Sequence, residues 1–420
     1  MGRFLSGDAF LVLRNKNFSL FLSYRFLVTV ATLMQSVIVG WQLYTITNNV
    51  LSLGLIGLAE VIPQVCVALF AGHYVDIWDR KKVIFYTTSL LLIGSLILYF
   101  YSLPGSTMQQ LWGVVPIFIT IFITGLVRGI LMPANAALIG QLVQRDQLTS
   151  ASTWSSTAWH IAAVAGPAIG GVVYGYFGIV PAYSLVFVFY LLCLVILLLM
   201  KSPGKVALVQ GAAEGIFERI REGIVYVFQR KVLLNAFALD MFAVFFGGAV
   251  AMLPVFASDI LKVGPEGLGF LRACPAIGAI VMSIILTFKP PVSHSGSQML
   301  FSVFGFGVMM IIFAFSTSFI LSACCLFLSG VFDNVSVIIR SSILQLYTSD
   351  EMKGRVAAVN SIFIGSSNEL GAFESGISAR FMGLIPSVVF GGVMTLVIVS
   401  ATAWKSQTLR TLALKDHGNS

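Results

Sequence analysis

Residues 72–82 read Gly-His-Tyr-Val-Asp-Ile-Trp-Asp-Arg-Lys-Lys, a short charged hinge between two long apolar segments. A helix needs about 20 apolar residues to cross a bilayer core. Segments 51–75 and 81–103, on either side of the hinge, meet that length. They read as two antiparallel membrane helices joined by a tight, positively charged turn. Working outward, the same alternation recurs along the whole chain. Twelve spans can be drawn: 18–46, 51–75, 81–103, 112–142, 150–176, 181–200, 232–258, 265–288, 297–316, 319–347, 354–381 and 383–404.

Composition agrees with that pattern. The chain is 58% hydrophobic and only 10% charged, with mean hydropathy +0.94. A soluble domain carries about 25% charged residues. A chain this poor in charge cannot clothe a surface in water, so most of its exterior must face lipid.

The net charge of +8 invites a nucleic-acid reading, but its distribution argues against one. Nineteen of the 25 Lys and Arg fall in the tails and in alternate loops, while the intervening loops hold only Lys262. This positive-inside pattern places both termini in the cytoplasm. Arg25, Arg128, Arg272, Arg340 and Arg380 lie within apolar segments. Of these, Arg25 and Arg380 sit near span ends, where they can snorkel to the interface. The five cysteines all sit in apolar runs without metal-ligand spacing and read as reduced, packed thiols. The N-terminus shows no cleavable signal.

Four stretches carry a family resemblance. The 72–82 hinge resembles the loop motif of the major facilitator superfamily at Gly72, Asp76, Arg80 and Lys81, departing from it at Ile77 and Asp79. Gly166-Pro167, with Gly170 and Gly171, resembles the superfamily's fifth-helix motif, departing at Ala162. Arg128-Gly129 with Pro133-Ala134, and Gln345 followed by Asp350 to Val356, are similar to the enterobactin-exporter and macrolide-efflux-like branch. The resemblance implies an all-α membrane protein with the major facilitator fold, twelve transmembrane helices in two pseudo-symmetric six-helix halves. It also implies a bacterial inner-membrane location, a monomer, and siderophores or drug-like compounds as the substrate class. The fifth-helix motif is associated in the superfamily with exporters and antiporters.

The division expected is a first bundle over 1–200, a cytoplasmic linker over 201–231 and a second bundle over 232–420. Within the linker, apolar residues from Ile216 to Phe228 recur at helical spacing, which predicts an amphipathic helix on the inner membrane face. Gln141-Leu142 with Asp146 repeats as Gln345-Leu346 with Asp350. Internal duplication of this kind puts substrate sites near mid-membrane.

Ionisable groups inside the membrane are costly and are therefore functional candidates. They are Glu60, Arg128, Asp240, Arg272, Asp333, Arg340 and Glu369, with the polar Gln35, Gln42 and Asn135. Arg128 serves either substrate or proton coupling, or it pairs structurally with a facing carboxylate. Arg340 and Asp333 are seven apart, on one helix face, and serve either substrate or proton coupling or pair locally with each other. Glu369 and Glu374 are about 140° apart around their helix, so one cavity cannot take both. A buried carboxyl (Glu60, Asp240 or Glu369) is the candidate proton carrier.

No phosphate-binding glycine loop, nucleophile constellation or metal cluster stands out, so neither an enzyme nor a cofactor is expected. The function expected is a proton-coupled exporter of a small organic molecule, working by alternating access. An uptake symporter and a transport-inactive sensor or scaffold are the alternatives. Arginines at the cavity would suit acidic or catecholate substrates, and a preponderance of carboxylates would suit cations.

Overall fold

A computed structural model describes residues 8–202, 216–291, 293–349 and 351–414. Twelve long helices account for most of them: α1 (Lys16–Thr47), α2 (Val50–Ile77), α3 (Arg80–Tyr101), α4 (Val115–Leu142), α5 (Leu148–Phe177), α6 (Ile179–Leu199), α7 (Lys231–Phe246), α8 (Pro265–Phe288), α9 (Ser295–Phe315), α10 (Phe319–Tyr347), α11 (Lys353–Met382) and α12 (Leu384–Lys405). A separate linker helix covers Ile216–Gln229. Among the described residues there is no strand, as bilayer physics requires of helical spans that satisfy their own backbone groups.

Eleven of the twelve are long and apolar enough to cross a membrane. The exception is α11, which is 30 residues long but carries Asn368, Glu369, Glu374 and several serines and glycines. Its length suffices to span; its polarity marks it as a helix whose faces are needed for something other than lipid.

The seventh span departs from expectation. Instead of one helix over 232–258, α7 stops at Phe246 and gives way to a 3₁₀ turn (Gly248–Met252), a single α turn (Leu253–Val255) and a π turn (Phe256–Ile260). The Gly247-Gly248 pair has the poorest helix propensity short of proline, and Pro254 removes a backbone donor. The hinge is also narrower than its charge suggested. α2 continues through Ile77 and α3 begins at Arg80, so Gly72 and Asp76 are helical. Their side chains, like the whole of Asp350, lie outside the described set.

Contacts divide the chain into two compact units. The first comprises Met1–Ile46, Ile62–Ala212 and Pro265–Gly269; the second comprises Thr47–Val61, Ala213–Gly264 and Phe270–Ser420.

In the first unit the hinge end is tied by polar contacts. Asp79 caps α3 by accepting from the Lys81 and Lys82 backbone N–H groups, and its other oxygen accepts from Ser202 Oγ at 2.7 Å. Lys81 Nζ donates to the Met200 carbonyl, and Arg80 donates to the Ala137 carbonyl at 3.0 Å. Asp79, one of the two departures from the family motif, is thus the helix cap. Asp79→Ala is expected to lower stability by about 1 kcal/mol, the usual worth of an N-cap. Thermal unfolding in detergent reads this directly, and an unchanged midpoint would remove the cap from the account.

In the second unit one face of the linker helix packs on protein, while Ile224, Val225 and Phe228 are exposed. Gly223 lies against the Arg355 carbonyl, Val227 is buried, and Arg355 pairs with Glu222. The Tyr226 hydroxyl accepts from the Ser349 backbone N–H at 2.9 Å, and Arg230 donates to the Tyr347 carbonyl at 2.7 Å. At the far end of the chain Leu409, Leu412 and Leu414 are buried in the same core. They are held by Gly296 N–H donating to the Leu412 carbonyl and Ser297 Oγ donating to the Arg410 carbonyl.

Candidate functional site

Two charged groups stand out in the second unit, the first half-buried and the second buried. The first begins with a close helix contact. Gly54 of α2 faces Gly376 of α11, where an added Cβ would come within 2.9 Å of the Gly376 Cα. Gly57 abuts the Glu369 carbonyl and the Ala372 methyl, leaving no room for a side chain. Small residues at this spacing let two helix backbones touch. Glu60 follows Gly57 by three residues, hence on the same face. Arg272 of α8 completes the group: its guanidinium lies within electrostatic reach of the Glu369 and Glu60 carboxylates. Three helices thus deliver two carboxylates and one guanidinium to one place. Glu374 is elsewhere on its helix and accepts from Ser378 Oγ at 2.6 Å, as the 140° separation requires.

The second group is a buried ion pair. Arg340 of α10 donates through Nη1 to Asp240 Oδ2 of α7, and both residues are only 4% exposed. Ser336, one turn before Arg340, donates to Asp240 Oδ1 at 3.4 Å. The Arg340 Nε is buried without a hydrogen-bond partner among the described residues. Asp333 is therefore not the partner of Arg340. Same-helix spacing suggested it, but seven residues is two full turns, whereas α7 packs directly beside α10.

In the first unit, the fifth-helix motif is a packing device. Gly166 and Gly170 lie against Val30, Leu33 and Met34 of α1. Gly171 meets the opening turn of α8, with an added Cβ 2.5 Å from the Pro265 carbonyl and 2.7 Å from the Gly269 Cα. Pro167 contributes its carbonyl to the same contact. On α4, Gly129 seats the Gln64 carbonyl of α2, with partly buried Arg128 beside it. Gln35, Gln64 and Asn135 each keep a buried amide oxygen without a partner among the described residues. Gln42 is different: its Oε1 accepts from the Tyr183 hydroxyl at 2.6 Å and its Nε2 donates to Ser102 Oγ at 3.0 Å. Of the sequence candidates, then, Glu60, Arg272 and Glu369 come together, as do Asp240 and Arg340. Arg128, Asn135, Gln35 and Gln42 belong to neither group.

A family model described as transmembrane secretion effector matches residues 8–417. The chain belongs to that family. It is accordingly a multi-pass membrane transporter of the major facilitator type, and not an enzyme. Among its relatives, the staphyloferrin A transporter of Staphylococcus aureus is 21% identical over 412 residues, 95% of this chain and 98% of that one. An uncharacterised transporter of the same type from Bacillus subtilis, YfmI, is 22% identical over 72% of this chain and 75% of its own. Solved structures share the fold. A POT family transporter in complex with 5-aminolevulinic acid superposes with TM-score 0.74 at 11% identity, covering 93% of this chain and 96% of that one. A bacterial homologue of the human lysosomal transporter Spinster gives 0.72 at 15% identity, covering 96% and 98%.

In this member of the secretion-effector family, sequence reasoning missed several participants. Tyr183 and Ser102 complete the Gln42 network, and nothing in an apolar run advertises a tyrosine's partner. Gly54 and Gly57 set the contact that brings Glu60 to Glu369. Their small-residue spacing was readable, but only a matching stripe on α11, at Ala372 and Gly376, gives it meaning.

Proposed function

We propose that the protein exports a small organic molecule, of siderophore or drug-like class, in exchange for protons by alternating access. The observation that carries this reading is the match of nearly the whole chain to a secretion-effector family. The staphyloferrin A relative supports the substrate class. The Glu60–Arg272–Glu369 group supports coupling. One guanidinium beside two carboxylates leaves one formal negative charge, which either a proton or a cationic group of the substrate can neutralise. Exchange of one for the other at a single place is the minimal requirement of antiport. Gly166, Pro167, Gly170 and Gly171, with the hinge residues Gly72, Asp76, Arg80 and Lys81, serve the conformational change rather than the substrate. Asp240 and Arg340 hold the second unit together. The positive-inside distribution supports cytoplasmic termini in a bacterial inner membrane.

The test is proton flux in liposomes carrying an imposed pH gradient, read with an internal pH-sensitive dye. A catecholate siderophore, a macrolide and a lipophilic cation are supplied in turn. At least one is expected to drive protein-dependent flux, falling at least tenfold in Glu369→Gln and unchanged in Glu374→Gln. If no compound drives flux, proton-coupled export of this class is wrong. Equal losses in the two variants would dismiss the triad as the coupling site.

A further inference from the structure

The first unit contains a cavity that the transport reading does not use. It has a volume of about 380 Å³ and lies where α1, α3 and α5 end and α6 begins. That is the opposite end of the unit from the Asp79 hinge. Its polar lining includes Gln42, Tyr101, Ser102, Ser106, Gln109 and Tyr174, and no charged side chain contributes.

The hydrogen bonds beneath it decide what it offers. Tyr183, fully buried, donates to Gln42 Oε1, which fixes the amide so that Nε2 faces Ser102. Ser102 Oγ accepts there, leaving its own hydroxyl hydrogen free to point elsewhere, and Gln42 keeps a second N–H. The Tyr174 hydroxyl makes no hydrogen bond among the described residues. Tyr101 is spoken for: its hydroxyl donates to the Gly113 carbonyl at 3.0 Å, which pins the 102–113 loop over the cavity and leaves the ring as a wall. Donors therefore face the cavity, aromatic rings flank it, and no charge is present to balance an ion. Stranding an ion there would carry a desolvation cost that no partner offsets.

We infer that this cavity binds an uncharged, oxygen-rich group, and that a glycosyl ring is the ligand chemistry it fits. Hydroxyl and ether oxygens accept from Ser102, Gln42 and Tyr174, while the ring's C–H face lies on tyrosine. Its volume is at the small end of ligand sites, suited to one or two rings. The ring can belong to a soluble glycoside or to a glycolipid headgroup. The inference is independent of transport direction and of proton coupling.

Three methyl glycosides of one shape and different charge test it: methyl β-glucoside, methyl β-glucuronide and methyl β-glucosaminide. Saturation-transfer NMR on the full chain in phosphatidylcholine nanodiscs reads binding. The neutral glycoside is expected to bind at least tenfold more tightly than either charged one. Tyr174→Phe and Ser102→Ala are each expected to weaken it about three- to tenfold, the worth of one hydrogen bond. Tyr174→Phe breaks no hydrogen bond within the protein, so misfolding does not confound it. Adding glucosyl diacylglycerol to the nanodiscs assigns the source: competition means a lipid headgroup, and none means a soluble glycoside. No binding of the neutral glycoside, equal binding of all three, or binding untouched by both substitutions would overturn the inference.

Discussion

Arg340→Met, with Asp240 left in place, is expected to destabilise the protein by about 3–5 kcal/mol, the penalty for stranding one member of a buried ion pair. Both residues are 4% exposed, and the Ser336 hydroxyl is the one other group seen to donate to Asp240. At that burial, little of the carboxylate that remains can reach solvent. The double variant Asp240→Leu/Arg340→Met is expected to recover most of the loss, because two apolar side chains of similar volume strand nothing. Accessibility of the buried thiols Cys193, Cys274 and Cys325 on heating, read with a thiol-reactive dye, reports the unfolding. If single and double variants melt together, the pair does not hold α7 to α10 in the way described. The same measurement separates structure from coupling: a double variant that is stable and still transports would confirm that Asp240 carries no proton in the cycle.

Gly57→Val is expected to reduce transport by at least a hundredfold while leaving the protein inserted and folded. The glycine abuts the Glu369 carbonyl, and neighbouring Gly54 faces Gly376 backbone to backbone. Backbone cannot rotate away as a side-chain tip can, so any added carbon must move α2 and α11 apart. Glu369 is itself the contacted residue and Glu60 is one turn along, so the displacement falls directly on the charged group. Misplacing a functional group by about 1 Å costs on the order of a hundredfold in rate. Gly140→Val is the control, since nothing lies within 4 Å of a Cβ there. Transport by Gly57→Val at wild-type rate would show that the α2–α11 contact is incidental to the cycle.

The fold was legible because bilayer physics leaves a chain few options. Each of the twelve long helices falls on one of the twelve spans drawn from the sequence, the polar α11 included. Where the reading failed, local propensity had been outweighed by the appeal of continuity: Gly247-Gly248 and Pro254 announce the break after α7 in plain sequence. The site was legible by composition and not by pairing. Intramembrane charge drew attention to Glu60, Asp240, Arg272, Arg340 and Glu369 as functional candidates, and these are the residues the structure gathers into two groups. Which partner each takes depends on helix neighbours roughly a hundred residues or more apart in sequence. Same-helix spacing proposed Asp333 for Arg340, and only the packing of α7 beside α10 supplies Asp240. Of the neutral network of Tyr183, Gln42 and Ser102, only Gln42 stood out in the sequence, as a polar residue in an apolar run; its two partners did not.

The membership of the two units bears on the order in which the protein can be made. Thr47–Val61 leaves the ribosome early yet belongs with residues beyond Ala213, and the first unit includes Pro265–Gly269. The earlier segment must therefore wait in the bilayer for partners not yet synthesised, and at about 5–20 residues per second that wait lasts many seconds. During it, Glu60 is in the membrane before Arg272 and Glu369 exist to meet it. A half-made chain thus holds a carboxyl group in the membrane whose partners do not yet exist.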